Sequence, residues 1–191
     1  LSQGIHSQII EKVIDSARIE KLDEVLVKAI RVEASSPITH SNVSKAELAT
    51  RNLGQDLPIL LNYLPSVVTT SDAGAGIGYT GIRVRGVSAQ STNITINGIP
   101  YNDAESLGTF WVDLPDFASS VESLQLQRGV GTSTNGSGAF GASINILTDA
   151  ISKDSQAEIS NTFGSYNTLK HNLKFSTGLL GSNIEISGRL S

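Results

Sequence analysis

Ile82-Arg83-Val84-Arg85-Gly86, Asn97-Gly98-Ile99-Pro100-Tyr101-Asn102-Asp103-Ala104-Glu105-Ser106, Gln127-Arg128-Gly129-Val130-Gly131 and Gly136-Ser137-Gly138-Ala139-Phe140-Gly141-Ala142-Ser143-Ile144-Asn145-Ile146 follow one another in this chain. Each is a short strand punctuated by glycine. Asn93 to Ile96 runs into Asn97-Gly98, the strongest short hairpin signal, and Ile99 begins the return. Leu114 to Ala118 reads as one helical turn, followed by strands over Val121 to Arg128 and Ser143 to Thr148. Upstream, Val67 to Thr70 is a strand, and Ser44-Lys45-Ala46-Glu47 is a capping box opening a short helix that ends near Gly54. Asp56 is expected to cap a second helix, with Pro58 in its first turn, a core stripe at Leu57, Leu60, Leu61 and Leu64, and Pro65 as its stop. Short strands interleaved with short helices make a small mixed-sheet α/β (α+β) domain.

Composition removes several functions. A net charge of -4 with no run of Lys or Arg lacks the electrostatic footprint of a nucleic-acid binder, so no nucleic-acid partner is expected. The absence of cysteine excludes disulfides and thiolate metal sites. His6, His40 and His171 have no metal-ligand spacing, and no serine sits in a nucleophile elbow, so neither a metal centre nor an enzyme is expected. Two G-x-G-x-x-G runs, at Gly76, Gly78, Gly81 and at Gly136, Gly138, Gly141, lead into strands rather than helices. A dinucleotide site needs a helix N-terminus there, so no cofactor is expected.

From about Ala157 the pattern becomes strict alternation. Leu169, His171, Leu173 and Phe175 share one face against Thr168, Lys170, Asn172 and Lys174, and Ile184, Ile186 and Leu190 repeat this against Asn183, Glu185 and Arg189. Gly164-Ser165 and Gly181-Ser182 supply turns. A half-buried soluble sheet and a barrel wall between lumen and lipid both produce this period. No apolar run approaches a membrane helix, and no charged-then-apolar secretion signal stands at the start.

In order and spacing, the four pieces from Ile82 onward resemble the plug domain of TonB-dependent outer-membrane transporters. The resemblance implies a leader over 1–21, a TonB-box-like segment over 22–30, a plug over 31–150 and the first antiparallel strands of a transmembrane β-barrel over 151–191. Those last positions hold three or four strands at about 10 residues each, too few to enclose a plug, so the chain is expected to be the N-terminal part of a larger transporter. Asp23, Glu24, Val25, Leu26 and Val27 match the TonB box, with Glu24 where threonine is usual. Such a strand is captured by adding to the edge of the partner's sheet; by itself the segment also reads as an ordinary edge strand.

The resemblance further implies that Arg85 and Arg128 pair with carboxylates on the inner barrel wall, the alternative being solvated arginines at strand ends. The loops Asp72 to Gly81 and Tyr101 to Trp111 would face the outer vestibule, where Tyr79, Tyr101, Phe110 and Trp111 pack against a ligand and Asn102, Asp103 and Glu105 hydrogen-bond it. Each has a structural alternative: Phe110 and Trp111 as core anchors, Asn102 and Asp103 as turn residues. The implied function is TonB-driven import of a scarce nutrient, a siderophore or other metal chelate, with TonB, the rest of the barrel, outer-membrane lipid and the ligand as partners. Haem, cobalamin, glycan or peptide cargo stays open, as does a soluble periplasmic binding or signalling module with a plug-like fold.

Overall fold

In the computed structural model the described residues are 31–191, apart from 34, 133, 134, 136, 137, 182 and 183. The leader and Asp23 to Val27 lie outside them. So do Gly136 of the second glycine motif and Ser182 of the last turn.

The N-terminal unit is built on a mixed sheet of β1 (His40–Ser44), β4 (Thr92–Ile96), β5 (Ile99–Pro100), β6 (Val121–Arg128) and β7 (Ala142–Thr148), in the order β1-β6-β7-β4-β5. All neighbours are antiparallel except β4 and β7, which run parallel with Ile94 opposite Ile144. The β4–β5 turn is the Asn97-Gly98 hairpin. Both residues have positive φ, 51° and 83°, as a primed turn requires.

Alternation gives this sheet one apolar face. Val43, Ile94, Leu124, Leu126, Ile144 and Ile146 point into the core, where they join residues of α1 (Lys45–Arg51), α2 (Leu57–Leu60) and the hairpin of β2 (Val67–Ser71) and β3 (Thr80–Val84). The capping box at Ser44 forms as expected: Glu47 N–H donates to Ser44 Oγ at 3.3 Å, and Ser44 N–H donates to the Glu47 carboxylate at 2.9 Å. Leu57, Leu60, Leu61 and Leu64 are all buried.

Asp56 departs from expectation. It stands at the N-cap of α2 but makes no side-chain cap bond, and its carboxylate instead accepts from Thr80 Oγ1 at 2.8 Å, tying α2 to β3. The single turn expected over Leu114 to Ala118 is two 3-10 turns, Trp111–Asp113 and Phe117–Ser120. They are separated by Asp116 in a left-handed conformation at φ 49°.

β8 (Gln156–Phe163), β9 (Leu169–Leu180) and β10 (Ile184–Leu190) form an antiparallel meander that lies against the first unit. Its burial is inverted relative to a soluble sheet. The polar residues Asn172 and Ser176 are buried toward the N-terminal unit, while Phe163 is 74% and Leu190 73% exposed on the other side, with Ile159, Leu169, Ile184 and Ile186 beside them. Asn161 and His171, polar residues on this outer face, share a hydrogen bond at 2.7 Å.

Candidate functional site

The two expected ligand loops meet across a cleft of about 330 Å³ lined by Tyr79, Thr80, Gln90, Thr109, Phe110 and Trp111, among others. The loop after β5 is tied down from within. Asn102 accepts from Ile94 N–H at 2.7 Å and donates to the carbonyls of Thr92 and Leu107, each at 2.9 Å. Asp103 accepts from Ser106 N–H and Oγ, both at 2.7 Å, and from Glu105 N–H at 3.2 Å. The bonds from Ser106, followed by that from Glu105, hold the Asp103 carboxyl below its usual range. The facing loop closes through Asp72 N–H to the Tyr79 carbonyl and Gly76 N–H to Ser71 Oγ.

These bonds sort the expected ligand residues. Tyr79 and Phe110 are exposed at the cleft, and Glu105 is exposed on its loop. Trp111, 3% exposed, belongs to the core, and Tyr101 packs against that core. Burial raises the Tyr101 phenol above its ordinary value, with the charge of Asp113 adding to the effect. Asn102 Oδ1 and Asp103 Oδ1 are occupied by backbone and hydroxyl donors, three of them on Asp103 from its own loop, while Asp103 stays exposed. Trp111, Asn102 and Asp103 thus shape the loop, and Trp111 also lines the cleft. On the cleft wall, the hydroxyls of Thr92 and Thr109 are buried without a hydrogen-bond partner among the described residues.

Arg85 and Arg128 come together, but not as two solvated strand ends. Arg128 is only 7% exposed; its Nε donates to the Pro65 carbonyl at 2.9 Å and its Nη2 to Ser41 Oγ at 2.6 Å. Arg85 falls one residue past β3 at φ 55°, exposed. Its Nη1 would lie 3.1 Å from a Cβ placed on Gly129. Burial, then the neighbouring Arg85 charge, lowers the Arg128 pKa. Among the described residues neither guanidinium is ion-paired with a carboxylate.

The contact between the two sheets is electrostatic, and sequence reasoning did not single out its acids. Asp116 accepts from Lys170 Nζ at 2.6 Å, Arg189 Nη1 at 2.9 Å, Asn172 Nδ2 at 3.1 Å and Ser191 Oγ at 2.6 Å, all from the meander. Ser119 and Asn52 of its own unit add two more donors. Burial alone would raise the Asp116 carboxyl, but the bonds from Lys170, Ser191 and Ser119 and the Lys170 charge outweigh it and lower the pKa to about 2. A second acid, Asp149, pairs with Lys174 of β9 and with Lys45 of α1, which also reaches Glu122 at 3.1 Å. The available signal was that Lys170, Lys174 and Arg189 all carry one sign on the polar face of their strands.

The comparisons with known proteins agree with this architecture. Residues 32–143 match the family model described as the TonB-dependent receptor plug domain. A vitamin B12 transporter of Vibrio vulnificus is 30% identical over 154 residues, 79% of this chain and 24% of the transporter. A ferric enterobactin receptor of Pseudomonas aeruginosa is 24% identical over 156 residues, 76% of this chain and 21% of the receptor. The crystal structure of the ferripyoverdine receptor of the outer membrane of Pseudomonas aeruginosa superposes with a TM-score of 0.65 at 15% identity, over 83% of this chain and 20% of that one. The chain thus spans about a quarter of the length of the curated relatives it matches. With the plug model covering more than half of its residues, the chain belongs to the TonB-dependent receptor family, within which residues 32–143 form the plug domain.

Proposed function

We propose that this chain supplies the plug and the first wall strands of an active importer of the bacterial outer membrane. Residues 31–150 form the plug and 151–191 the start of the barrel. The observation that carries the reading is the inverted meander: its polar face is spent on Asp116 and Asp149 of the plug, and its apolar face points away from the protein. Such a sheet has lumen on one side and lipid on the other. The plug then stands in the barrel lumen, open to the periplasm below. Asp23 to Val27 is the segment presented to TonB, whose sheet edge takes it up as an added strand. Arg85 and Arg128 wait for carboxylates from the rest of the wall; for Arg128, 7% exposed, burial of a guanidinium without a counter-charge is costly.

Cargo docks at the cleft between the loops of Tyr79 and Phe110, and gating is an order-disorder change in the plug with no bond made or broken in the cargo. A siderophore or another metal chelate is the leading cargo, in keeping with the ferric enterobactin receptor among the relatives. Cobalamin is the second reading, favoured by the 30% identity to a vitamin B12 transporter. The full-length protein should fractionate with the outer membrane and shift in gel mobility on boiling. Val25→Pro should abolish uptake under iron limitation, or uptake of cobalamin if the second reading holds. A soluble periplasmic product without a mobility shift would overturn the importer reading.

A further inference from the structure

The polar face of the plug sheet is buried as well, and it is covered at its N-terminal end by residues 31–33, which join no strand ladder. Asn42, Gln125, Asn145 and Thr95 stand in register as a row across β1, β6, β7 and β4. Gln125, 2% exposed, uses its whole hydrogen-bonding capacity here. Its Oε1 accepts from Val32 N–H at 2.7 Å and from Gln127 Nε2 at 2.9 Å, while its Nε2 donates to the Val32 carbonyl at 2.9 Å and to Asn42 Oδ1 at 2.8 Å. The side-chain amide thus pairs with the Val32 backbone as a neighbouring strand would. Reversing the amide would set donor against donor and acceptor against acceptor. Beside it, Arg31 donates to Ser123 Oγ and to the carbonyls of Ser123 and Asn145, with no acid partner among the described residues, and burial lowers its pKa.

We infer that Gln125 is a clamp that holds the plug's N-terminal strap at Val32 and sets how readily the coupling segment is surrendered to TonB. This rests on the reading of Asp23 to Val27 as that segment. Only four residues separate Val27 from Val32's neighbour-by-neighbour path, so tension applied there reaches the clamp over at most about 18 Å of extended chain. The strap is held locally, by two backbone bonds to the Gln125 side chain and by Arg31 on Ser123 and Asn145, whereas the plug is held to the meander by ion pairs at Asp116 and Asp149. Strap and sheet can therefore part while plug and wall stay joined. Once the strap leaves, the row beneath it is amide and hydroxyl, which water solvates readily.

The test uses the full-length protein in outer-membrane vesicles. Gln125→Glu removes both donors and sets a carboxylate against the Val32 carbonyl, while Val32→Pro removes the strap's donor without touching the sheet. Gln125→Glu should lower hydrogen-exchange protection of the Val32 amide by about tenfold or more, and both variants should leave Leu126 and Ile144 protected and raise ligand-free cross-linking to TonB. Unchanged Val32 protection in Gln125→Glu, or unchanged ligand-free cross-linking in both variants, overturns the clamp. Loss of protection at Leu126 and Ile144 with the strap in both variants also overturns it, because Gln125 is then only part of the core. Val25→Pro separates this proposal from the reading beneath it: normal uptake in that variant overturns the coupling segment, whatever the strap does.

Discussion

β6 and β9 carry the same alternation, but β6 buries both halves of it and β9 only the polar half. In β6, Leu124 and Leu126 are wholly buried against the helices, and Gln125 and Gln127 are buried too, beneath the strap and the loop after Gly129. In β9, Asn172 and Ser176 are the buried residues, and Leu169, Leu173 and Phe175 face outward. Period two states that a strand has two faces; the surface opposite decides which is inside. For β9 that surface is a pair of acids, Asp116 and Asp149, which select the lysine face.

The comparison breaks hardest in the plug core. Leu126→Asp should abolish plug folding, seen as protease sensitivity of residues 31–150 while the boiled-against-unboiled gel shift of the barrel persists, because an unpaired charge has no partner among Ile94, Leu124 and Ile144. Asp116→Ala should cost about 3 kcal/mol in urea titrations of the plug, since it leaves Lys170 and Arg189 facing each other without a counter-charge.

Leu173→Lys tests the outward face. It should cost about 2–4 kcal/mol near a bilayer midplane, read as a lower yield of folded barrel, whereas against water it would cost almost nothing. Acid should loosen the plug from the wall in one window. The Asp116 pKa is depressed, so its stabilisation is complete above the ordinary aspartate value near 4 and is lost as pH falls toward about 2. Asp116→Asn should remove that dependence in pH-stepped proteolysis. The smallest effect expected is from Gly188→Ala. Its Cβ would come within 2.9 Å of the Phe175 ring on the outward face, where the ring can swing into lipid, so thermal scans should show a cost of about 1 kcal/mol.

Much of the plug was legible because its signals are local. β6 matches its expected span and β7 begins one residue early, at Ala142, while the Asn97-Gly98 turn and the Ser44 capping box form as their residues require. What was not legible depends on contacts made across the chain. Asp116 sits alone in a left-handed turn, and nothing beside it announces that Lys170 and Arg189 will arrive more than fifty residues later. Asp56 occupies an N-cap position, yet Thr80 from the next hairpin takes its carboxylate. At the cleft, the sequence shows which residue types the two loops carry, but only packing separates exposed Tyr79 and Phe110 from Trp111, which is buried against the core.

The parallel pairing of β4 with β7 sets a timetable for assembly. Ile94 must wait for Ile144, and β5, both 3-10 turns and β6 are made in between. Until Ala142 to Thr148 has been delivered, β4 has one side open and the sheet lacks its middle. Such a late, non-local closure is slow and leaves sticky strand edges on show. A nascent chain of this kind needs an escort that shields it until about residue 148, well before any wall closes around it.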